Sequence, residues 1–167
     1  MDPAAEIVDV VDEDDQVVGY AARAEVRAQK LLHRGATIVC RNSKGAVYVH
    51  RRTEDKDVFP GMFDPCLGGM VSRGESYEAA ARRELAEELG IEDAHLCFAF
   101  KHLYLGGDNP CWTEVYEVTW DGPVAPQAEE IAWGEFMEVD SLRAKLEEWT
   151  FTPDGREVIE RYLGARE

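Results

Sequence analysis

Residues 69–91 read GMVSRGESYEAAARRELAEELGI. The segment predicts a helix from about Ser76 to Leu89, with Ser76 as the N-cap and Gly90 as the C-cap. At about 100° per residue, the three glutamates Glu84, Glu87 and Glu88 fall within an arc of roughly 100°. An apolar stripe of Ala81, Leu85 and Leu89 lies beside that arc and suits a contact with the core.

This clustering of glutamates has two interpretations. Most glutamate runs are solvated helix faces. Carboxylates crowded at the edge of a buried face, however, repel one another and resist ionisation. A bound divalent cation removes that conflict, and ligands that are all oxygen favour magnesium or manganese. Spacing alone leaves both interpretations open.

The complete pattern of the segment resembles the signature box of the Nudix hydrolase family. The chain carries every fixed position of that box: Gly69, Glu75, Arg83, Glu84, Leu85, Glu87, Glu88, Gly90 and Ile91. The resemblance implies an α/β fold, the Nudix-type α/β/α sandwich with a mixed central sheet. It also implies a metal-dependent pyrophosphohydrolase that cleaves the diphosphate linkage of a small nucleoside diphosphate or a derivative of one.

The resemblance also assigns roles to individual residues. By this resemblance Glu84 is expected to bind the metal and is one candidate for the general base, which stays unassigned among the glutamates, while Arg83 orients a neighbouring glutamate. Downstream, Glu130 matches a further catalytic glutamate of such enzymes, with Glu129 as the adjacent alternative. The expected metal is Mg²⁺, with Mn²⁺ as the alternative, and its ligands would be Glu84, Glu87, Glu88 and the backbone carbonyl of Gly69, supported by Glu75.

Whole-chain composition limits the other classes of function. The 167 residues include 34 acidic and 18 basic residues, for a net charge of −16. Such a charge argues against a nucleic-acid polymer or an anionic membrane surface as a partner. The four cysteines show no spacing suited to zinc, and we find neither a signal peptide nor a transmembrane segment, so we expect reduced thiols and a cytoplasmic protein.

Periodicity and turn residues along the chain predict alternating strands and helices. We expect a single domain over residues 1–167, in which residues 1–33 form an N-terminal extension of a hairpin and a short helix. The predicted strands are Glu6–Val11, Gln16–Tyr20, Gly35–Cys40, Ala46–His50, Leu96–Leu105, Trp112–Trp120 and Glu130–Met137, and Cys66–Val71 is expected to be an extended piece broken by two glycines. Beyond the box helix, the predicted helices are Ala21–Lys30, Asp140–Trp149 and Pro153–Leu163.

The front half of the chain also resembles isopentenyl diphosphate isomerases, which share the Nudix fold but do not hydrolyse their substrate. Arg52 and Lys56 match positions that hold a diphosphate in those enzymes, and His33 matches a metal-binding histidine. Gly68 stands where the isomerases have their catalytic cysteine, and Met70 replaces a second metal-binding histidine. These two differences disfavour isomerase activity.

Basic and aromatic residues outside the box are the remaining candidates for substrate binding. Arg51, Arg52 and Lys56 are the expected phosphate-binding residues, whereas isolated cations such as Arg34 and Lys101 are more often solvated surface charges. The aromatic candidates for stacking on a base are Phe98, Phe100, Tyr104 and Trp112, although aromatic residues on strands more often belong to the core. The substrate's base, the oligomeric state and the role of His33 stay open; a homodimer and a non-catalytic ligand-binding module are the alternatives considered.

Overall fold

The structure is a computed structural model that describes residues 2–167. It contains nine strands and four α-helices, preceded by a 3₁₀ turn at Pro3–Ala5. The strands are β1 (Ile7–Val11), β2 (Val17–Ala22), β3 (His33–Arg41), β4 (Val47–Arg52), β5 (Phe63–Asp64), β6 (Leu67–Met70), β7 (Cys97–Tyr104), β8 (Cys111–Thr119) and β9 (Ile131–Met137). The helices are α1 (Arg23–Gln29), α2 (Tyr77–Leu89), α3 (Val139–Glu148) and α4 (Pro153–Gly164).

All nine strands belong to one mixed sheet organised around β3. The parallel partner β8 pairs with β3 from His33 to Arg41 and so occupies one edge of that strand. The other edge is shared in succession by β1, β6 and β4, all antiparallel to β3. Strand β6 therefore lies against the middle of β3, directly before the box helix.

Alternation along β3 places a hydrophobic core on each face of the sheet. Ala36, Ile38 and Cys40 pack with Leu85 and Leu89 of α2 on one face. On the other face, the core is formed with α3 and α4 and includes Val39, Val47, Val115, Leu142, Val158 and Ile159. The expected α/β/α sandwich with a mixed central sheet is confirmed.

Three local differences from the expected elements have physical causes. Strand β2 continues through Ala22, so α1 begins at Arg23 and ends where Lys30 adopts the left-handed conformation, with φ of 53°. His33 pairs with both β1 and β8 and is therefore the first residue of β3. The two glycines of β6 do not break the strand, because both pair with β3. Within residues 2–167, no helix is long and apolar enough to span a bilayer.

Candidate active site

Helix α2 is fixed at both ends by the expected caps. The Ser76 hydroxyl accepts a hydrogen bond from the backbone N–H of Ala79 at 3.1 Å, and Gly90 ends the helix with φ of 66°. Its buried face consists of Ala80, Ala81, Leu85, Glu88 and Leu89. A glutamate therefore lies among the core-facing residues of the helix, which is costly unless the carboxylate gains a partner.

Arg83 organises the carboxylates around the start of this helix. Its guanidinium donates to both oxygens of Glu75, from Nε at 2.9 Å and from Nη2 at 3.0 Å. Nη1 donates to Oε1 of Glu84 at 2.7 Å and lies 3.5 Å from Oε2 of Glu87. Nη2 also donates to the carbonyl of Met70 in β6. The contacts with Glu75 raise the pKa of Arg83, so this cation is permanent.

The glutamates of the box occupy different environments. Burial raises the pKa of Glu84 despite the nearby Arg83, and burial together with the charges of Glu84 and Glu130 raises the pKa of Glu88 well above its usual range. Burial also raises the pKa of Glu75, but its bonds to Arg83 outweigh that effect and lower it overall. Glu87 is about half exposed. The buried carboxylates are thus held near one another at a cost in charge repulsion.

Two glycines in the middle of β6 bring the sheet close to these carboxylates. A Cβ atom at Gly69 would collide with the carboxylate of Glu84. A Cβ atom at Gly68, where φ is +147°, would collide with the backbone oxygen of Ala36. Because that oxygen belongs to the central strand, position 68 cannot carry the cysteine of the isomerases without a shift of the backbone.

A cleft of about 490 Å³ opens over the box helix and is mainly acidic. Its wall includes every glutamate that the sequence assigned to the metal or to catalysis, together with Arg83 and the backbone at Gly69. Glu130 reaches the same cleft, where its carboxylate forms an ion pair with Lys56. The lining residues that the sequence assigned are Glu75, Arg83, Glu84, Glu87, Glu88, Glu130, Gly69 and Lys56.

The donor set of this cleft fits a divalent cation. Among residues 2–167, no three Asp, Glu, His or Cys side chains are arranged as a finished metal cluster. Oε2 of Glu88 is buried without a hydrogen-bond partner within the same range, so one hard oxygen donor is left unsatisfied. The carboxylate of Glu84 accepts a hydrogen bond from Arg83. Hard, crowded oxygen donors of this kind suit Mg²⁺ or Mn²⁺.

A second, smaller cavity of about 120 Å³ adjoins the acidic cleft, and Arg23, Lys56, Gly68 and Gly69 line both. We call it the basic cavity, because its wall carries Arg23, Arg27, Arg52 and Lys56 against two acids, Asp64 and Asp154. The side chain of Arg52 is held by the carbonyl of Val58, which accepts from Nε at 3.1 Å and from Nη2 at 2.9 Å.

Other sequence candidates lie outside the two cavities. Arg51 donates to the carbonyl of Gly61 at 2.9 Å and to Glu54 at 2.7 Å, and it lines neither cavity. Arg34 and Lys101 both bind the buried carboxylate of Asp15. Phe98, Phe100 and Trp112 also line neither cavity, and only Tyr104 of the aromatic candidates contributes to the basic cavity.

His33 and Met70, two positions of the isomerase comparison, line the basic cavity, and each also makes contacts within the fold. His33 is buried, its Nδ1 lies 2.9 Å from the carbonyl of Leu31, and burial lowers its pKa to about 4. It is therefore neutral at pH 7. Met70 packs with Val8 and Val26 beneath the N-terminal hairpin and helix.

Sequence reasoning missed four charged residues of the basic cavity: Arg23, Arg27, Asp64 and Asp154. For the arginines a signal was present. They stand four residues apart in a predicted helix, so their side chains are expected on the same side of that helix. What they face is set by the packing of α1, which no local pattern reveals.

Comparisons with a family model, with the sequences of known proteins and with solved structures agree with one another. The NUDIX domain family matches residues 31–162. The uncharacterized Nudix hydrolase SCO1686 of Streptomyces coelicolor is 46% identical over 163 residues, covering 96% of this chain and 90% of that protein. The uncharacterized Nudix hydrolase PA4841 of Pseudomonas aeruginosa is 38% identical, covering 96% and 95%. The crystal structure of DR0079 from Deinococcus radiodurans aligns with a TM-score of 0.82 at 30% identity, covering 93% and 98%.

Proposed function

Because the chain belongs to the Nudix hydrolase family, whose members generally use divalent metal ions and act on small molecules, we propose that it is a Mg²⁺-dependent pyrophosphohydrolase of nucleoside diphosphates or their derivatives. The observation that carries this proposal is the acidic cleft, where Glu84 and Glu88 are buried together and one oxygen of Glu88 has no partner among residues 2–167. Manganese is the alternative ion.

Glu84, Glu87 and Glu88 would hold the metal, with the carbonyl of Gly69 as a further donor and Glu75 in support. When bound, a divalent cation supplies charge neutralisation on the diphosphate and makes an attacking water more acidic. Glu84, whose carboxylate is oriented by Arg83, would take the proton of that water.

The remaining residues position the reacting groups. Arg83 holds Glu84 through its hydrogen bond, and Glu75 fixes Arg83 through two more, so the orientation of the base is determined before substrate arrives. Lys56, which lines both cavities, and Arg52, which lines the basic cavity, would bind diphosphate oxygens. Water adds to one phosphorus, the bridging P–O bond breaks, and the products are two phosphate monoesters, or one monoester and inorganic phosphate.

The first test is a product screen with MgCl₂ over nucleoside diphosphates, nucleotide sugars and dinucleotides, resolved by ion-exchange chromatography. We expect hydrolysis of at least one class, and we expect that Glu84→Gln lowers kcat by about 100-fold or more. Glu78→Gln, on the exposed side of the same helix, is the matched control and should retain wild-type turnover. Unchanged turnover in Glu84→Gln would remove Glu84 from the site.

Thermal unfolding gives a readout that is independent of turnover. MgCl₂ should raise the Tm of the wild type and of Glu78→Gln, because a ligand that binds only the folded state stabilises it. The same salt should leave the Tm of Glu84→Gln unchanged. Isopentenyl diphosphate belongs in the screen as well, and its conversion to dimethylallyl diphosphate would contradict the argument from Gly68.

A further inference from the structure

The N-terminal helix α1 contributes two arginines to the basic cavity although it precedes the residues matched by the NUDIX family. Arg23 and Arg27 are four residues apart and therefore point to the same side of the helix. Their side chains are largely covered, with 26% and 19% exposed. Covered guanidinium groups require anionic or polar partners, because an unpaired buried charge is costly.

Within residues 2–167, the anionic partners of these two arginines are few, and none donates or accepts a hydrogen bond with them. Arg23 lies 4.0 Å from Glu6, and Nε of Arg27 lies 3.3 Å from Asp57 without a hydrogen bond to it. Nη1 of Arg27 donates to Asn109, a residue of the loop between β7 and β8. By contrast, Arg83 makes three close hydrogen bonds to carboxylates. The α1 arginines are thus much less satisfied than the arginine of the box.

Mutual repulsion among the cations strengthens this contrast. Burial lowers the pKa of Arg27, and the charges of Arg23 and Arg52 lower it further, while only Asp57 opposes them strongly. The chain as a whole has a net charge of −16. A group of four cations in so acidic a protein is a local feature that attracts anions.

Size restricts which part of a substrate enters the basic cavity. A cavity of about 150 Å³ accommodates a benzene molecule, so one of about 120 Å³ admits a phosphate group but not a ribose with its base. The adjoining acidic cleft, at about 490 Å³, has room for more of the substrate. A substrate that spans both would place its smaller, more anionic end among the arginines.

We propose that Arg23 and Arg27, together with Arg52 and Lys56, form a subsite for the terminal phosphoryl group of the substrate, a group with two negative charges. This proposal rests on the proposed function and narrows it. Substrates with a free terminal phosphate should be preferred over nucleotide sugars and dinucleotides, whose phosphates are diesters with one charge each. Bidentate guanidinium contacts suit such a group.

The binding of inorganic phosphate in the presence of EDTA, measured by isothermal titration calorimetry, tests the subsite without metal or turnover. Phosphate should bind the wild type, and its Kd should rise by about tenfold or more in Arg23→Ala and in Arg27→Ala. Dimethyl phosphate, with a single charge, should bind more weakly to the wild type than phosphate does. Arg143→Ala removes an arginine of α3 that pairs with Glu167 on the surface, and it should bind phosphate like the wild type.

Equal phosphate affinity in the wild type and both α1 variants would overturn the proposal, as would equal binding of the two anions by the wild type. If Arg27→Ala does not fold, Arg27→Lys retains the positive charge but loses the bidentate contact of the guanidinium group. Arg23→Ala gives an independent answer. Circular dichroism establishes folding for each variant before titration.

Kinetics separate this proposal from the proposed function. On the best nucleoside diphosphate of the screen, the α1 variants should raise KM by about tenfold or more with kcat nearly unchanged. Their KM for the nucleotide sugar of the same base should change by less than about threefold. If both KM values stay at wild-type levels while hydrolysis proceeds, the subsite is refuted and the hydrolase survives. If no compound is hydrolysed, the proposed function fails and the phosphate titration still decides the subsite.

Discussion

Asp64 is a buried carboxylate in the wall of the basic cavity, and only 15% of its side chain is exposed. Its Oδ1 accepts a hydrogen bond from the backbone N–H of Cys66 at 2.9 Å, while Nη1 of Arg52 lies 3.9 Å from Oδ2. Burial, and next the charge of Asp154, raise its pKa from 3.8 to about 7. At neutral pH this side chain is therefore partly protonated, and its ionisation opposes folding.

Replacing Asp64 with Asn should stabilise the protein at high pH. The folded state binds the Asp64 proton more tightly than the unfolded state, so stability is complete below the ordinary pKa of 3.8 and is lost as pH rises through about 7. The variant avoids that loss, which for such a shift is about 4 kcal/mol at most. Urea unfolding in EDTA at pH 5 and pH 8.5 measures the difference.

The gain of Asp64→Asn over the wild type should be larger at pH 8.5 than at pH 5. Asp14→Asn, which replaces an exposed carboxylate, should show no such dependence on pH. An Asp64→Asn gain of the same size at both pH values would mean that this carboxylate is ionised normally in the folded state.

At the scale of elements, β6 determines how closely the sheet approaches the box helix. Gly68 pairs with Thr37 and Gly69 pairs with Ala36, and neither glycine interrupts the strand. Gly68→Ala should destabilise the protein by about 2 kcal/mol or more, because its φ of +147° is unfavourable for a residue with a side chain and its Cβ would meet backbone rather than a mobile group. Chemical denaturation measures the loss.

The matched control is Gly19→Ala in strand β2, where an added Cβ meets nothing within 4 Å. It should change stability by less than about 0.5 kcal/mol. Similar losses from the two substitutions would show that the collision at position 68 is relieved by movement of β3.

Local rules explain which elements the sequence predicted. The box helix was predicted with accurate ends, because Ser76 and Gly90 act on their own neighbours in the chain. The glycines of β6 were expected to break an extended piece, since a local pattern does not show that β3 pairs with it. Likewise, Arg27 and Arg52 line the same cavity because of the way α1 packs on the sheet. The sequence alone does not show that packing.

For the whole molecule, the backbone of the N-terminal residues 7–29 is joined to the central strand at few positions. Strand β1 makes a single register pair with β3, whereas β8 makes nine. The small core beneath this unit contains only Val8, Ala21, Val26 and Met70 as buried residues. A small apolar core and few backbone pairs with the central strand favour local opening of this unit.

Hydrogen exchange should therefore be faster in the hydrogen-bonded amides of β1 than in those of β3, by at least about tenfold under native conditions. Inorganic phosphate in EDTA should slow exchange in α1, since a ligand held by Arg23 and Arg27 ties that helix to the sheet. Peptides from α3, none of whose residues line either cavity, serve as the control and should not respond. Equal exchange in β1 and β3 would contradict this local opening.

The division between residues 1–30 and the segment matched by the NUDIX family at 31–162 has a consequence for protein engineering. The carboxylates proposed to act in the reaction come from residues 75–88 and 130, whereas two of the four cations of the basic cavity come from α1. Exchange of the first thirty residues between homologues would therefore change two cations of the basic cavity, and with them the proposed anion preference, and would keep these carboxylates. By this proposal, α1 contributes to the choice of anion, and the carboxylates that follow residue 30 contribute to the reaction.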